Sequence, residues 1–403
     1  MSITFPQFST IKKFGLLSSL YVSQFLPLGF FDQVLPVFMR EQGFSLESIG
    51  FVYLLGLPWM IKFLWSPWID RYSLSHRGHY RFWILLAQSL SVCVVAGLAF
   101  VDIRQKFGIS LVGFALVCFL AATQDIATDA LAVGSLHPKQ RGFGNGIQNA
   151  SNYLGAILGG GVLLILINQL GWTKSLLILS ILLALPLFPV FFYEERAKLK
   201  VDDTTTGFRP FSQFFRRPGN RTWLFVVCLL SLSPSMASGM FKPLLVDAGL
   251  SLQDIGLLSG IVGYSSGMVG ALLGGVLIHG LGHMRALIVF STVQAISIIG
   301  FLLPAVGIVN LSVLYAVSSI VNFASGMSAT ALFTIMMDRS DLSTAGSDYT
   351  LQSAMRTTVA LLASALGGFV ASALGFLSFF AGCFIMSLIC VAASARLLNL
   401  KLL

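Results

Sequence analysis

The chain has 403 residues, of which 56% are hydrophobic and only 10% are charged, against roughly 25% charged residues in soluble domains. Its formal net charge is +9 and its mean hydropathy is +0.85. This composition excludes an ordinary soluble domain and predicts an integral membrane protein, most of whose surface faces lipid.

Along the chain, apolar stretches recur at about the twenty-residue length that a helix needs to cross a bilayer. These runs are continuous, which favours helices over the alternating strands of a barrel. We therefore predict an all-α integral membrane bundle of about twelve helices. The predicted spans lie approximately at 14–38, 48–69, 82–101, 109–134, 143–167, 173–193, 222–245, 254–278, 284–304, 308–336, 346–373 and 376–395.

Lysine and arginine are concentrated in the loops on the side of the predicted bundle that holds both chain ends. The loops of the opposite side contain only Arg40, Arg104, Lys106 and Lys174. Because cytoplasmic loops carry an excess of basic residues, both termini are predicted to lie in the cytoplasm. Topology thus explains the basic surplus, and no nucleic-acid partner is expected.

One long polar stretch, residues 194–221, divides the chain into two halves that resemble each other. REQGFSLESIG at 40–50 is similar to VDAGLSLQDIG at 246–256, and Gln148 and Gln352 occupy nearly equal offsets in the fifth span of each half. We predict a six-helix bundle at 1–193, a cytoplasmic linker at 194–221 and a second six-helix bundle at 222–403. Parallel repeats of this kind favour a transporter with pseudo-two-fold symmetry.

Two carboxylates, Asp125 and Asp129, lie one helical turn apart in the otherwise apolar fourth span. This spacing places both on one face, and each costs about 2.5–3.5 kcal/mol at the centre of a membrane helix. Lys62 has a similar predicted depth in the second span, and Asp32 lies in the first. Two interpretations stay open: an ion pair between Lys62 and Asp125 or Asp129, and an aspartate that takes up and releases a proton.

Arg356 lies near the middle of the eleventh span, with no acidic residue within one helical turn. It either forms a contact between helices or binds an anionic group of a substrate, for which its planar guanidinium is suited. Uncharged polar residues in the spans are expected to form hydrogen bonds between helices or to contact a substrate. The substrate-binding candidates besides Arg356 are Gln24, Gln124, Gln148, Asn152 and Gln352.

The loop after the second span, WIDRYSLSHRGHYR, resembles the signature of the major facilitator superfamily between spans two and three. Asp70 and Arg71 match its acidic and basic core, and Arg77 and Arg81 match its basic tail. The strings GLPWMIKFLWSPWIDRY at 56–72 and AATQDIATDALAV at 121–133 are similar to one branch of that superfamily. This branch contains the muropeptide permease AmpG, the acetyl-CoA transporters and the siderophore permeases RhtX and FptX.

The resemblance implies proton-driven import across a bacterial inner membrane, with the first and fourth helices of each half lining a central cavity. Asp70, Arg71, Arg77 and Arg81 would form a cytoplasmic gating network that breaks when the conformation changes. The chain length and the string ATQDIATDALAV favour the siderophore permeases within the branch.

Other classes of function receive less support from the sequence. There is no P-loop, H-E-x-x-H or G-x-S-x-G motif, so neither an enzyme nor an ATP-driven pump is expected, and no cofactor or metal site is predicted. The main hypothesis is a monomeric carrier that imports a siderophore or its ferric chelate with protons by alternating access in the lipid bilayer. An AmpG-like anhydromuropeptide permease, an efflux carrier and a channel are the alternatives.

Overall fold

The computed structural model describes residues 10–41, 43, 55–73, 78–103, 105–195 and 209–399. Throughout these residues the regular secondary structure is helical. The helices coincide with the predicted spans, which are numbered here in chain order. Spans 1–12 occupy 10–41, 55–71, His79–Leu98, Phe107–Ser135, 138–170, 172–191, Asn220–Asp247, 252–281, His283–Ala305, Leu311–Asp338, 345–374 and 376–397.

Nine helical runs within the described residues are long and apolar enough to cross a membrane. Two of them, Pro138–Phe191 and Ala345–Leu397, each contain two spans, because a glycine with a positive φ interrupts the helix. Gly171 has a φ of 79° and Gly375 a φ of 75°, a conformation that only glycine adopts readily. Adding the irregular second span gives twelve, so the predicted all-α membrane bundle is confirmed.

Span 2 is broken in its middle, and the break follows from two prolines. Helix Leu57–Ile61 and helix Ser66–Arg71 each carry a proline in the first turn, and a 3₁₀ turn at Lys62–Leu64 separates them. Proline has no N–H and its ring clashes with the carbonyl four residues earlier, so it starts a helix well but cannot continue one. The break places Lys62 at an irregular turn inside the bundle.

Spans 1, 5 and 8 each contain a π-helical turn, at Phe30–Val34, Leu158–Val162 and Leu257–Gly263. Such turns widen an α-helix locally and occur often at functional sites. Asp32 lies in the first of these turns with an exposed side chain.

Glycines bring several spans into backbone contact, as their spacing indicates. A Cβ at Gly159 of span 5 would lie 2.0 Å from the carbonyl oxygen of Leu26 in span 1. A Cβ at Gly146 would lie 2.8 Å from the carbonyl oxygen of Ala271 in span 8, which belongs to the other half. Side chains at these glycines would force the helices apart.

The buried apolar residues form four clusters: one common to both halves, one within each half, and a small one around the helix Arg209–Arg216. We call the end of the bundle that holds both chain ends the terminal face, and the opposite end the far face. At the terminal face, one cluster joins Tyr21 and Ile126 to Trp223 and Tyr349. Towards the far face, one cluster lies wholly within spans 1–6 and another wholly within spans 7–12. The halves are therefore packed together at the terminal face and have separate cores at the far face.

The predicted linker is partly outside the described residues, which resume at Arg209. Helix Arg209–Arg216 buries Phe211 and Phe214 against Leu224 and Leu351. The apolar side of this short helix thus packs on the protein itself. The similar segment at 40–50 lies almost entirely outside the described residues.

Candidate functional site

Lys62 and Asp125 form a buried ion pair between spans 2 and 4, in which Lys62 Nζ donates to Asp125 Oδ2. Lys62 is 3% exposed and Asp125 is 5% exposed. The Trp59 ring lies 5.0 Å from the Lys62 nitrogen and adds a cation–π contact. Of the two partners that the sequence allowed, the structure pairs Lys62 with Asp125.

Asp129, one turn further along span 4, has neutral hydrogen-bond donors. Its Oδ1 atom accepts a hydrogen bond from the Tyr21 hydroxyl at 2.9 Å and from Gln148 Nε2 at 3.1 Å. The residue is 2% exposed. The two acids therefore differ in kind: a lysine neutralises Asp125, whereas dipoles solvate Asp129. A proton neutralises a carboxylate most readily where no fixed cation does so already.

A chain of contacts links this acidic pair to the second half. Gln148 Nε2 also lies 3.4 Å from the Tyr349 hydroxyl in span 11. The Tyr349 ring stacks on the Phe333 ring of span 10 at a centroid distance of 6.2 Å. The Arg356 guanidinium lies 5.1 Å from the centre of the Phe333 ring. Polar and aromatic side chains thus connect Lys62 to Arg356 across the interface of the halves.

Arg356 is half-buried and forms no ion pair with any carboxylate among the described residues. Asp348, the acid that precedes it in span 11, pairs with Arg217 instead. Tyr153 of span 5 lies within electrostatic range of Arg356, and its ring is 5.7 Å from that of Tyr264 in span 8. A cation bordered by aromatic rings at mid-span is suited to bind an anionic group next to an apolar or ring-shaped one.

The other predicted binding residues differ in how far they remain free. Gln24 is fully buried and its amide atoms have no hydrogen-bond partner within the described part of the chain. Gln124 donates to Ser23 Oγ at 3.4 Å. The Oδ1 atom of Asn152 is buried and likewise without a partner there. Asp32 is exposed and interacts electrostatically with Tyr264 of the other half.

Gln352 is placed differently from the prediction that it contacts substrate. It is fully buried, accepts a hydrogen bond from Trp223 Nε1 at 2.7 Å and donates to the Met336 carbonyl at 3.1 Å. These bonds tie spans 7, 10 and 11 of the second half together. Its position therefore supports a role in packing, because its hydrogen-bonding capacity is already used.

Asp70 connects the halves at the terminal face by capping the start of span 11. Its carboxylate accepts hydrogen bonds from the backbone N–H groups of Gly346 at 3.1 Å and Ser347 at 2.6 Å, and from the Ser347 and Tyr80 hydroxyls at 2.6 Å each. The first N–H groups of a helix lack partners within it and attract negative charge. Gly346 permits this approach, since a Cβ there would lie 2.8 Å from Asp70 Oδ1.

Arg71 and Arg81, the described basic residues of the predicted gating network, have different partners. The Arg71 guanidinium lies over the Tyr72 ring at 5.3 Å. Arg81 donates to the carbonyl oxygens of Val190 and Phe191, at the end of span 6. Arg77 lies outside the described residues. Of this set, Asp70 makes the contact between halves that a gate requires.

Ion pairs that the sequence analysis missed add to this closed face. Arg141 of span 5 pairs with Asp338 at 2.9 Å, Asp338 also contacts His283, and Arg217 pairs with Asp348. Arg217 lies 3.8 Å from Asp341 in the loop before span 11. Partial burial raises the pKa of that carboxyl, but hydrogen bonds from Ser343 and the charge of Arg217 outweigh it and lower the pKa below its ordinary value. In the sequence most of these residues appear as loop charges and Asp348 as an acid near the start of the eleventh span, so no signal linked them.

Twelve spans in two halves, joined at one face around buried charges, define a multi-pass membrane transporter. The chain matches the model of the Major Facilitator Superfamily over residues 17–364 and belongs to that family.

Among its relatives, the chain is similar to the anhydromuropeptide permease of Escherichia coli (strain K12). The two are 28% identical over 366 residues, which cover 88% of this chain and 73% of the relative. The chain is 25% identical to the putative transporter AmpG 4 of Rickettsia conorii over 324 residues, or 76% of this chain and 77% of the relative. The branch expected from the sequence motifs is thus supported at its AmpG-like members.

Two solved structures share the fold. The transporter FucP in the outward conformation has a TM-score of 0.69 at 14% identity, over 95% of this chain and 98% of FucP. The human organic anion transporter MFSD10 has a TM-score of 0.70 at 16% identity, over 97% of this chain and all (100%) of MFSD10. At these identities the similarity concerns the fold alone.

Proposed function

We propose that this protein is a secondary active permease that imports an anhydromuropeptide or a closely related sugar–peptide. The observation that carries the proposal is Arg356, a half-buried cation without a carboxylate partner among the described residues, set beside Phe333, Tyr153 and Tyr349. A muropeptide combines carboxylates with sugar rings, and these groups suit a guanidinium and aromatic faces respectively. The names of the relatives support the same substrate class.

This choice reverses the order of the two substrates expected from the sequence, which placed the siderophore before the muropeptide. The siderophore was preferred on chain length and on one string of span 4, while the relatives described above are named for anhydromuropeptides or for AmpG. Recognition of a ferric chelate has no comparable support from the geometry. We therefore place the muropeptide first.

We further propose that both termini lie in the cytoplasm of a bacterial inner membrane, that the halves meet at a linker at 194–221 and that the carrier is monomeric. The distribution of lysine and arginine supports this orientation. The terminal face is then the cytoplasmic one, and the arrangement described here is closed to the cytoplasm. An importer in this state receives substrate from outside and releases it after the halves rock.

The coupling ion in this proposal is a proton, and Asp129 is its carrier. Asp125 is already neutralised by Lys62, whereas the donors to Asp129 within the described residues are the neutral side chains of Tyr21 and Gln148. Protonation of Asp129 would weaken its bond to Gln148, which in turn lies beside Tyr349 of the other half. The charge on Asp129 is thereby linked to the interface that must open.

The test is uptake of a labelled anhydromuropeptide into proteoliposomes with an imposed pH gradient. We expect accumulation that a protonophore abolishes, and exchange of internal for external substrate that needs no gradient. Asp129→Asn should lose accumulation and retain exchange, whereas Asp247→Asn, at the exposed far end of span 7, should retain both. Binding of a ferric siderophore but not of a muropeptide would overturn the substrate assignment, and gradient-driven accumulation in Asp129→Asn would overturn the coupling assignment.

A further inference from the structure

A cavity of about 570 Å³ lies at the terminal face, on the outer flank where spans 5, 8 and 9 meet. Lys139 and Phe143 of span 5 form one wall, and Val276, His279 and His283 of spans 8 and 9 form the other. The cavity therefore lies between the two halves and is separate from the groups around Arg356. The proposed transport mechanism makes no use of it.

The apolar part of the cavity continues onto the surface that faces lipid. Phe143 is 39% exposed and Val276 is 56% exposed. Further along span 8 the exposed side is apolar as well, with Leu272 and Leu273. A hydrocarbon chain of the bilayer can therefore follow span 8 from the membrane core into the cavity.

The polar end of the cavity is basic. Lys139 belongs to the first turn of span 5, where the positive end of the helix dipole also favours an anion. His279 and His283 lie at the adjoining ends of spans 8 and 9, and no carboxylate of the described residues lines the cavity. Asp338 lies behind His283 and is held by Arg141. All these groups lie at the ends of their spans, at the depth of lipid headgroups.

We propose that this cavity binds one anionic phospholipid, with its phosphate at Lys139 and His279 and an acyl chain along Phe143 and Val276. A basic pocket between membrane helices on the positively charged side is the arrangement that recognises anionic headgroups. The lipid contacts both halves in their closed arrangement, because one wall of the cavity comes from span 5 and the other from span 8. A ligand that binds one conformation better shifts the population towards it, so the lipid stabilises closure of the terminal face.

The test uses the purified full-length protein in detergent and measures its melting temperature with added lipid. Phosphatidylglycerol should raise the melting temperature, while phosphatidylcholine with the same chains and inorganic phosphate alone should not. The double variant Lys139→Ala/His279→Ala should lose the shift. Lys174→Ala, an exposed lysine at the far face, should keep it.

A second variant separates binding from folding. Val276→Trp places a bulky ring in the apolar part of the cavity without removing a charge. Native mass spectrometry should show bound phosphatidylglycerol on the wild type and none on this variant. An equal shift in the double variant and the wild type, or an equal shift with phosphatidylcholine, would overturn the proposal. A shift with inorganic phosphate alone would reduce the cavity to a small-anion site and also overturn it. None of these results bears on the transported substrate.

Discussion

In the function proposed above, Arg356 is the residue on which substrate recognition most depends. It is held by rings and helix packing, with Phe333 at 5.1 Å, and no acid among the described residues neutralises it. A planar guanidinium binds a carboxylate through two parallel hydrogen bonds, whereas a lysine offers a point charge. Replacement of Arg356 by lysine therefore distinguishes a cation that binds a carboxylate from a structural cation, for which the charge alone is enough.

We predict that Arg356→Lys raises the KM for uptake at least about tenfold, since a charge-assisted hydrogen bond contributes about 1.5–3 kcal/mol. Arg356→Gln should raise it further, and protein yield should stay at the wild-type level. The matched control is Arg285→Gln, an exposed arginine at the start of span 9. Equal KM values for the wild type and Arg356→Gln would show that the guanidinium does not touch substrate.

The Lys62–Asp125 pair raises a different question, because a buried pair can be structural or can take part in transport. Removal of one partner leaves an uncompensated charge and typically costs about 3–5 kcal/mol. Lys62→Met and Asp125→Asn should therefore each lower the melting temperature of the purified protein. The double variant Lys62→Met/Asp125→Asn should recover most of that loss, because neither member of the pair is left as an unpaired buried charge.

Uptake by the double variant then distinguishes the two roles. If the pair only joins spans 2 and 4, restored stability should bring restored uptake. If the pair separates during the transport cycle, the double variant should be stable but deficient in uptake. Lys174→Met controls for the loss of a lysine at an exposed site. A double variant less stable than either single variant would contradict the ion pair itself.

Among the elements, the start of span 11 forms a contact between the halves at the terminal face. Asp70 reaches it from span 2 and satisfies two helix N–H groups, an arrangement that Gly346 makes possible by its lack of a side chain. The energy of this cap is available only while the halves are closed at the terminal face. We therefore propose that the start of span 11 acts as a latch between the halves.

We predict that Gly346→Val displaces the Asp70 carboxylate and increases hydrogen exchange of the backbone at 345–352. Asp70→Asn should do so too, because it replaces a charge that the helix N-terminus favours by typically 0.3–1 kcal/mol at exposed sites and by more where the site is buried. Ser347→Ala removes only one of the hydroxyl donors and should have the smallest effect. Unchanged exchange at 345–352 in Asp70→Asn would show that the cap does not hold the latch.

The elements also show how far the sequence reaches. Hydropathy predicted the spans because a bilayer demands length and apolarity, and these are local properties. The pairing of Lys62 with Asp125 rather than Asp129 depends on the broken turn of span 2. The two prolines indicate that the span is broken, but they do not show in which direction the Lys62 side chain points. The contact between Asp70 and Ser347 joins residues 277 positions apart and leaves no periodic signal. Gln352 resembled a residue of the transport pathway because its partner Trp223 is remote in the sequence, so the sequence does not show that its side chain is already hydrogen-bonded.

At the scale of the whole molecule, we propose that the halves move as two bodies whose apolar cores are joined at the terminal face. The common apolar cluster, the Asp70 cap and the Arg141–Asp338 pair all lie at the terminal face, while the far face has two independent cores. Packed interfaces are bistable and do not deform continuously, so transport requires the terminal contacts to separate together. Because spans 5 and 8 of the two halves pack closely, a larger side chain between them would keep the terminal contacts from forming again.

We predict that Gly146→Val prevents closure of the terminal face and lowers uptake at least about tenfold, since its Cβ would lie 2.8 Å from the Ala271 carbonyl oxygen of the other half. Hydrogen exchange should increase on both sides of the interface, at 138–146 and at 345–352, although the atoms nearest to a Cβ at Gly146 belong to Ala271 and Gly275 of span 8 and not to span 11. Gly134→Val is the control, because a Cβ at that position of span 4 meets no atom within 4 Å. An increase confined to 138–146 would mean that the halves yield locally, and the two-body description would then be wrong. A joint increase at both segments follows only if one motion opens the whole face.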